Sequence, residues 1–342
     1  GSGLRVIFEE DRARPEVRIT TVVEGGSSGE FAGKRGVAHV AEHLWFRSVP
    51  DATQGADLWS AVGNLGGRIN GYTTRDRTVY TTVAPRQSIR VLLQIEAARI
   101  EDPLNGLDDE IFDVERNVVR NELRQRYTDT TGSVWEPLYA EMFPTSHPYH
   151  HLPIGTEDTL AGLTLADARA YMDTWYTPSN VTLHVSGDLS SEAFTKLVPQ
   201  VLPKALLVHP GTGAVMGECA ESRRTPLALP DASPEAVLEV RGAVRERMGV
   251  VAWTFPPELE TFARFDLWLA ELAMQRALEV PVSCSVSAHR HAAAGFCSIP
   301  LGTEDPSKRF RKAIRAADAL WEANARDSLR RNYDGWRAFE MA

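Results

Sequence analysis

With 342 residues, 43% of them hydrophobic and 24% charged, the chain has the composition of a globular protein and the length for two domains. Its formal net charge of −9 excludes the basic footprint that phosphate contacts need, so no nucleic-acid partner is expected. No run approaches the roughly 20 apolar residues of a membrane span, and no leader pattern opens the chain. Gly1-Ser2-Gly3 reads as a cloning scar or as the start left by a removed leader, which leaves the compartment open between periplasmic or secreted and cytoplasmic.

The β-prone run at 4–8 and the alternation of Val17, Ile19, Thr21 and Val23 predict two strands forming an opening hairpin. After a Gly/Ser turn at 25–29, residues 37–46 hold good helix formers and no breaker. Another helix is expected at 53–62, then punctuation at Gly63, Gly66 and Gly67, strands near 68–73 and 78–83, and a stop at Pro85. Long helices at 87–101 and 108–127 are separated by Pro103 and Gly106. A helix at 134–142 leads to the loop His147-Pro148-Tyr149-His150-His151-Leu152-Pro153. Thr164, with Asp167 three residues on, has the pattern of a helix N-cap, for a helix running to Trp175; a strand follows at 181–185.

Strands and helices interleaved with short loops indicate an α+β or mixed-sheet domain over residues 1–208. Residues 209–230 lose the apolar period and turn to Gly, Pro, Ser, Arg and Ala, the pattern of a linker. Residues 231–342 repeat the first half in kind, β-rich over 237–255 and 280–301 and helical over 261–278 and 306–324, with no clear sequence repeat. Cys219, Cys284 and Cys297 follow no metal-ligand spacing; Cys284 and Cys297 either pair across neighbouring strands or remain buried thiols.

The segment with sharp chemical content is His39-Val40-Ala41-Glu42-His43. On a helix, residues four apart share a face, so both imidazoles can reach one Zn²⁺ while Glu42 stays beside it. A catalytic zinc typically takes three protein ligands and keeps a position for water, so a third ligand must come from elsewhere. Glu42 is placed to act as general base. The same five residues also fit an ordinary solvated helix face. On the helix at 108–127, Glu115 and Glu122 are two turns apart and share a face, so that one can point at the metal and the other support it. His150 and His151 are rival ligands, but adjacent loop residues do not present both rings to one ion as readily.

These residues resemble the pitrilysin-type peptidases, the inverzincin family, which includes insulin-degrading enzyme and the mitochondrial processing peptidase β-subunit. In that family a glutamate some seventy-odd residues after the second histidine is the third ligand, and here 78 residues separate His43 from Glu122. The resemblance also implies a supporting glutamate at Glu115, seven residues earlier. Asn70-Gly71-Tyr72-Thr73-Thr74 resembles the family's active-site edge strand, with Gly71 where alanine is common; there a peptide adds as an extra strand, and Asn70 and Gly71 are the implied substrate-binding residues. His147-Pro148-Tyr149, Ile154-Gly155, Tyr176-Thr177-Pro178-Ser179-Asn180 and Gly187-Asp188 follow the family pattern too.

The resemblance implies two similar α+β domains, each with a mixed or antiparallel sheet and packed helices, the second shortened near 278–281 or cut by an incomplete chain. It implies Zn²⁺ as cofactor and hydrolysis of peptides or small unfolded polypeptides in a closed cavity. Because no counterpart of the family's arginine and tyrosine pair is evident before Ala342, a homodimer or a heterodimer with a related chain is expected. A non-catalytic assembly subunit and a zinc hydrolase acting on other substrates are the rival readings.

Overall fold

The computed structural model describes residues 3–128, 132–203, 206, 248–255, 270–290, 292–300 and, further on, 308, 309, 311–313, 315, 316 and 319. The chain divides into two units, Gly1–Tyr139 with Thr145–Thr225, and Ala140–Pro144 with Pro226–Ala342. The expected linker at 209–230 lies outside the described residues.

The first unit is built on five strands, β1 (Arg5–Glu10), β2 (Glu16–Val23), β3 (Arg68–Thr73), β4 (Thr78–Pro85) and β5 (Val181–Gly187). Their order is β1-β5-β2-β4-β3, with β1 parallel to β5 and every other pair antiparallel. The expected opening hairpin is therefore not formed. β5, with Val181, Leu183 and Val185 buried, takes the interior place beside β2, and β1, largely exposed or half-buried, is left to the edge. Burial rather than sequence proximity decides the pairing. On β2 the alternation read from sequence holds, since Val17, Ile19, Thr21 and Val23 are all buried.

The helices are α1 (Val37–Arg47), α2 (Leu58–Asn64), α3 (Ile89–Glu101), α4 (Asp109–Thr128), α5 (Gly132–Met142), α6 (Glu157–Ala161), α7 (Leu165–Trp175) and α8 (Ser191–Val201). α2 starts five residues later than expected because Gln54 and Gly55 both adopt positive φ and break the run; the Asp57 side chain then caps the helix by accepting from Ser60 N–H. Thr164 caps α7 in a capping box with Asp167, as its sequence suggested. α6 and α8, which the sequence pattern did not signal, are capped by Thr156 and Ser190. α1 packs against α4, α7, α2 and β3, so the helix with the His39-to-His43 motif is held from several sides.

In the second unit β6 (Met248–Phe255), β7 (Ser283–Ala288) and β8 (Ala293–Pro300) form an antiparallel sheet in the order β6-β8-β7. Cys284 and Cys297 face each other across β7 and β8 and form a disulfide. Ala270, Met274 and Leu278, on a helical stretch at 270–278, share a buried cluster with Val282, Cys297, Ile299 and Ala313. No helix among the described residues is long and apolar enough to cross a membrane.

Candidate metal centre

The metal motif rides on a helix whose apolar residues leave it no freedom. Val37, Ala38, Val40, Ala41, Leu44 and Trp45 are fully buried. The Arg99 guanidinium stacks 3.7 Å from the Trp45 ring and pairs with Glu96, which also accepts from Thr21. At the other end Gly36 precedes the first turn at φ 90°, and a Cβ there would lie 2.7 Å from Leu160 Cδ2 and 2.9 Å from Ile154 O. No side chain of the cap residue serves the buried N-terminus; instead the Glu30 carboxylate accepts from Gly36 N–H at 2.9 Å and Ala38 N–H at 3.0 Å. Burial pushes the Glu30 carboxyl up to about 8, against these two hydrogen bonds and the charge of Arg35.

His39, His43 and Glu122 converge. His39 Nε2 is 3.5 Å from one Glu122 oxygen and His43 Nε2 is 3.6 Å from the other. Each offers one ligand atom, and the three atoms lie within 4.8 Å of one another; among the described residues no other His, Cys, Asp or Glu group does this. Two neutral imidazole nitrogens and one carboxylate are a donor set that suits Zn²⁺ and leaves a coordination position for water. The electrostatics agree with neutral ligands at His39: burial, then the charges of His43 and Arg126, pull its pKa down to about 3. At His43 burial pulls the same way, but the Glu115 hydrogen bond and the charges of Glu122 and Glu42 outweigh it and raise the pKa.

Glu42 is buried on the same face, and Thr73 Oγ1 on β3 donates to its Oε2 at 2.6 Å. Burial raises its pKa, opposed by the Thr73 hydrogen bond and His43 and assisted by Glu122, which suits a carboxylate that must take up a proton near neutrality. Glu115 does not join the ligand cluster. It lies behind His43, where Oε2 meets His43 Nδ1 at 3.2 Å and Oε1 accepts from Arg47 Nε at 2.7 Å. Burial raises the Glu115 pKa, but the hydrogen bonds to His43 and Arg47 win and lower it.

A cleft of about 550 Å³ opens over these groups, with β3 along one side. β3 is the outer strand of the described sheet, paired among the described residues with β4 alone, and Tyr72 on it is 56% exposed. Asn70 and Gly71 both line the cleft, with Asn70 Oδ1 accepting from Gly71 N–H at 3.0 Å. Gly71 is needed for close packing, since a Cβ would lie 2.8 Å from Phe46 Cζ. Phe46 in turn lies against Trp59, whose ring centroid is 5.0 Å away.

His150 and His151 are not brought to the metal ligands as a chelating pair; His151 Nε2 instead faces Glu30 Oε2 at 3.5 Å. Thr73, Arg47, Asp57 and Glu30 were not singled out from sequence. Arg47 had the available signal of lying four residues after His43 and so one turn along the same face, whereas Thr73 and Glu30 reach the site through tertiary contacts that carry no local pattern.

Residues 5–151 match the family described as Insulinase (Peptidase family M16). The zinc protease PqqE of Helicobacter pylori is 33% identical over 184 residues, 53% of this chain and 40% of that protein. The chain spans about half the length of the curated relatives it matches. In fold it is similar to a protease from Helicobacter pylori (TM-score 0.74, 18% identity, 99% of this chain and 83% of that one). It is also similar to a peptidase M16 inactive domain from Pseudomonas fluorescens (TM-score 0.72, 17% identity, 98% of this chain and 82% of that one). The same fold thus occurs in domains of both descriptions, and the side chains of the site must carry the distinction. Residues 5–151, which hold the motif helix and all three candidate ligands, are thus similar to the insulinase, or pitrilysin-type, peptidase family M16.

Proposed function

We propose that this chain binds one Zn²⁺ through His39, His43 and Glu122 and hydrolyses peptide bonds, with Glu42 as general base. The observation that carries this reading is the convergence of two imidazoles and a carboxylate with a second, buried carboxylate, Glu42, one helical turn from His39. Zn²⁺, when bound, supplies Lewis acidity toward water and toward a peptide carbonyl. Glu42 takes the proton of the attacking water on its carboxylate and returns it to the leaving amine, and Thr73 holds that carboxylate in place. The β3 edge beside the cleft has no further strand paired to it among the described residues, so in this reading an extended peptide adds as a further strand. Backbone pairing of this kind favours peptides and small unfolded polypeptides over folded proteins.

A second chain, identical or related, completes the enclosure in this reading. Trp59, Tyr72 and Val118 all line the cleft and are 46%, 56% and 37% exposed, apolar surface of the kind that a partner or substrate covers. The rival reading, a non-catalytic subunit, predicts the same fold with no turnover. A mixed peptide library incubated with the purified chain decides between them. Cleavage that a chelator abolishes and added zinc restores supports the peptidase; a zinc-loaded chain that cleaves nothing, with or without a related partner chain, rejects it.

A further inference from the structure

Arg47 ends α1 one turn beyond His43, and its guanidinium joins two carboxylates from different elements. Nε donates to Glu115 Oε1 on α4 at 2.7 Å, and Nη1 donates to Asp57 Oδ2 at 3.3 Å, while Asp57 Oδ1 caps α2 through Ser60 N–H at 2.8 Å. We propose that Arg47, braced by Asp57, is a positioning residue of the metal centre, clamping Glu115 so that Glu115 holds the His43 ring with Nε2 turned toward His39 and Glu122. The inference rests on the zinc reading given above.

The asymmetry between the two histidines makes the clamp consequential. His39 Nδ1 is buried with no hydrogen-bond partner among the described residues, so no carboxylate among them braces that ring from behind. His43 Nδ1 has the Glu115 carboxylate, which fixes both the tautomer and the rotation of the ring. Glu115 can serve only if its own rotation is stopped, and its second oxygen is bonded to Arg47 alone among the described residues. Arg47 is itself 41% exposed, and an exposed ion pair by itself contributes little. The Glu115 side chain, however, is only 6% exposed, so losing Arg47 would leave a buried carboxylate held at one oxygen. A guanidinium is required rather than an ammonium because two separate N–H groups reach two carboxylates in a fixed fork.

The test is zinc affinity, measured by competition with a chromophoric chelator on wild type, Arg47→Ala, Arg47→Lys and Asp57→Asn, with thermal unfolding of each metal-free protein alongside. The zinc dissociation constant should rise about 10- to 100-fold in Arg47→Ala, the size of effect typical of groups that orient a ligand. Arg47→Lys should recover part of the loss, and Asp57→Asn, which keeps an oxygen for the α2 cap, should show a smaller rise. A brace for the fold alone would lower the metal-free melting temperature and leave zinc affinity unchanged, and that result overturns the proposal. Should Arg47→Ala fail to fold, wild-type affinity in both Arg47→Lys and Asp57→Asn overturns it equally. A wild-type chain that binds no zinc at all would instead refute the metal assignment on which the inference rests.

Discussion

Replacing Glu42 by glutamine separates the chemistry from the architecture of the site. The substitution deletes the proton acceptor but none of the three converging ligand atoms, and the amide oxygen can still accept from Thr73 Oγ1. General-base assistance is typically worth about 10²- to 10⁴-fold, so kcat/KM should fall by that factor, or about 3–5 kcal/mol of barrier. Zinc affinity should stay within a few-fold of wild type. Nor should the fold suffer: the Glu42 carboxylate is buried and burial disfavours its charge, so a neutral group of the same size removes no charge that the interior favours. The assay pairs metal content by mass spectrometry with initial rates of peptide cleavage on the same preparations. Turnover near wild type with zinc retained would refute the role given to Glu42, and loss of zinc would show that Glu42 is part of the binding set instead.

Gly71→Val places a branched side chain where even a Cβ lies 2.8 Å from the Phe46 ring; overpacking of this sort costs about 1–3 kcal/mol, so the melting temperature and peptide cleavage should both drop while zinc stays bound, and unchanged cleavage would show that β3 is not where substrate lies. Glu30, with its folded pKa raised by burial from an ordinary 4.5 to about 8, should lower stability as pH climbs, because the unfolded chain releases the proton first. The difference in unfolding free energy between metal-free wild type and Glu30→Gln should therefore move against wild type by about 1.4 kcal/mol per pH unit between pH 5 and 8, and a flat difference in urea titrations would contradict the burial argument. Light scattering on the purified chain, with and without a related chain, should show self-association or complex formation accompanying full activity; a fully active monomer would refute the need for a partner.

Much of the site was legible because its signals are local. His39 and His43 four residues apart, on a run without helix breakers, announce one helical face, and Glu115 and Glu122 seven apart announce another. What the sequence concealed depends on distant contacts. The place of β1 follows from β5, more than 170 residues later, displacing β2 as its neighbour. The contact of Thr73 with Glu42 requires β3 to be laid beside α1, and the arrangement of Arg47 between Glu115 and Asp57 requires three helices to meet. The late start of α2 was missed for a different reason: Gln54 is a non-glycine residue in the left-handed region, and no residue-type rule points to it.

The central claim, that His39, His43 and Glu122 form one zinc site with Glu115 outside it, is tested most directly by zinc stoichiometry in three proteins. Wild type, Glu122→Ala and Glu115→Ala are stripped of metal, reloaded with zinc, dialysed against a weak chelator and analysed by native mass spectrometry. One zinc per chain in wild type, none in Glu122→Ala, and zinc largely kept in Glu115→Ala at reduced affinity is the predicted result. Zinc kept in Glu122→Ala and lost from Glu115→Ala would contradict it.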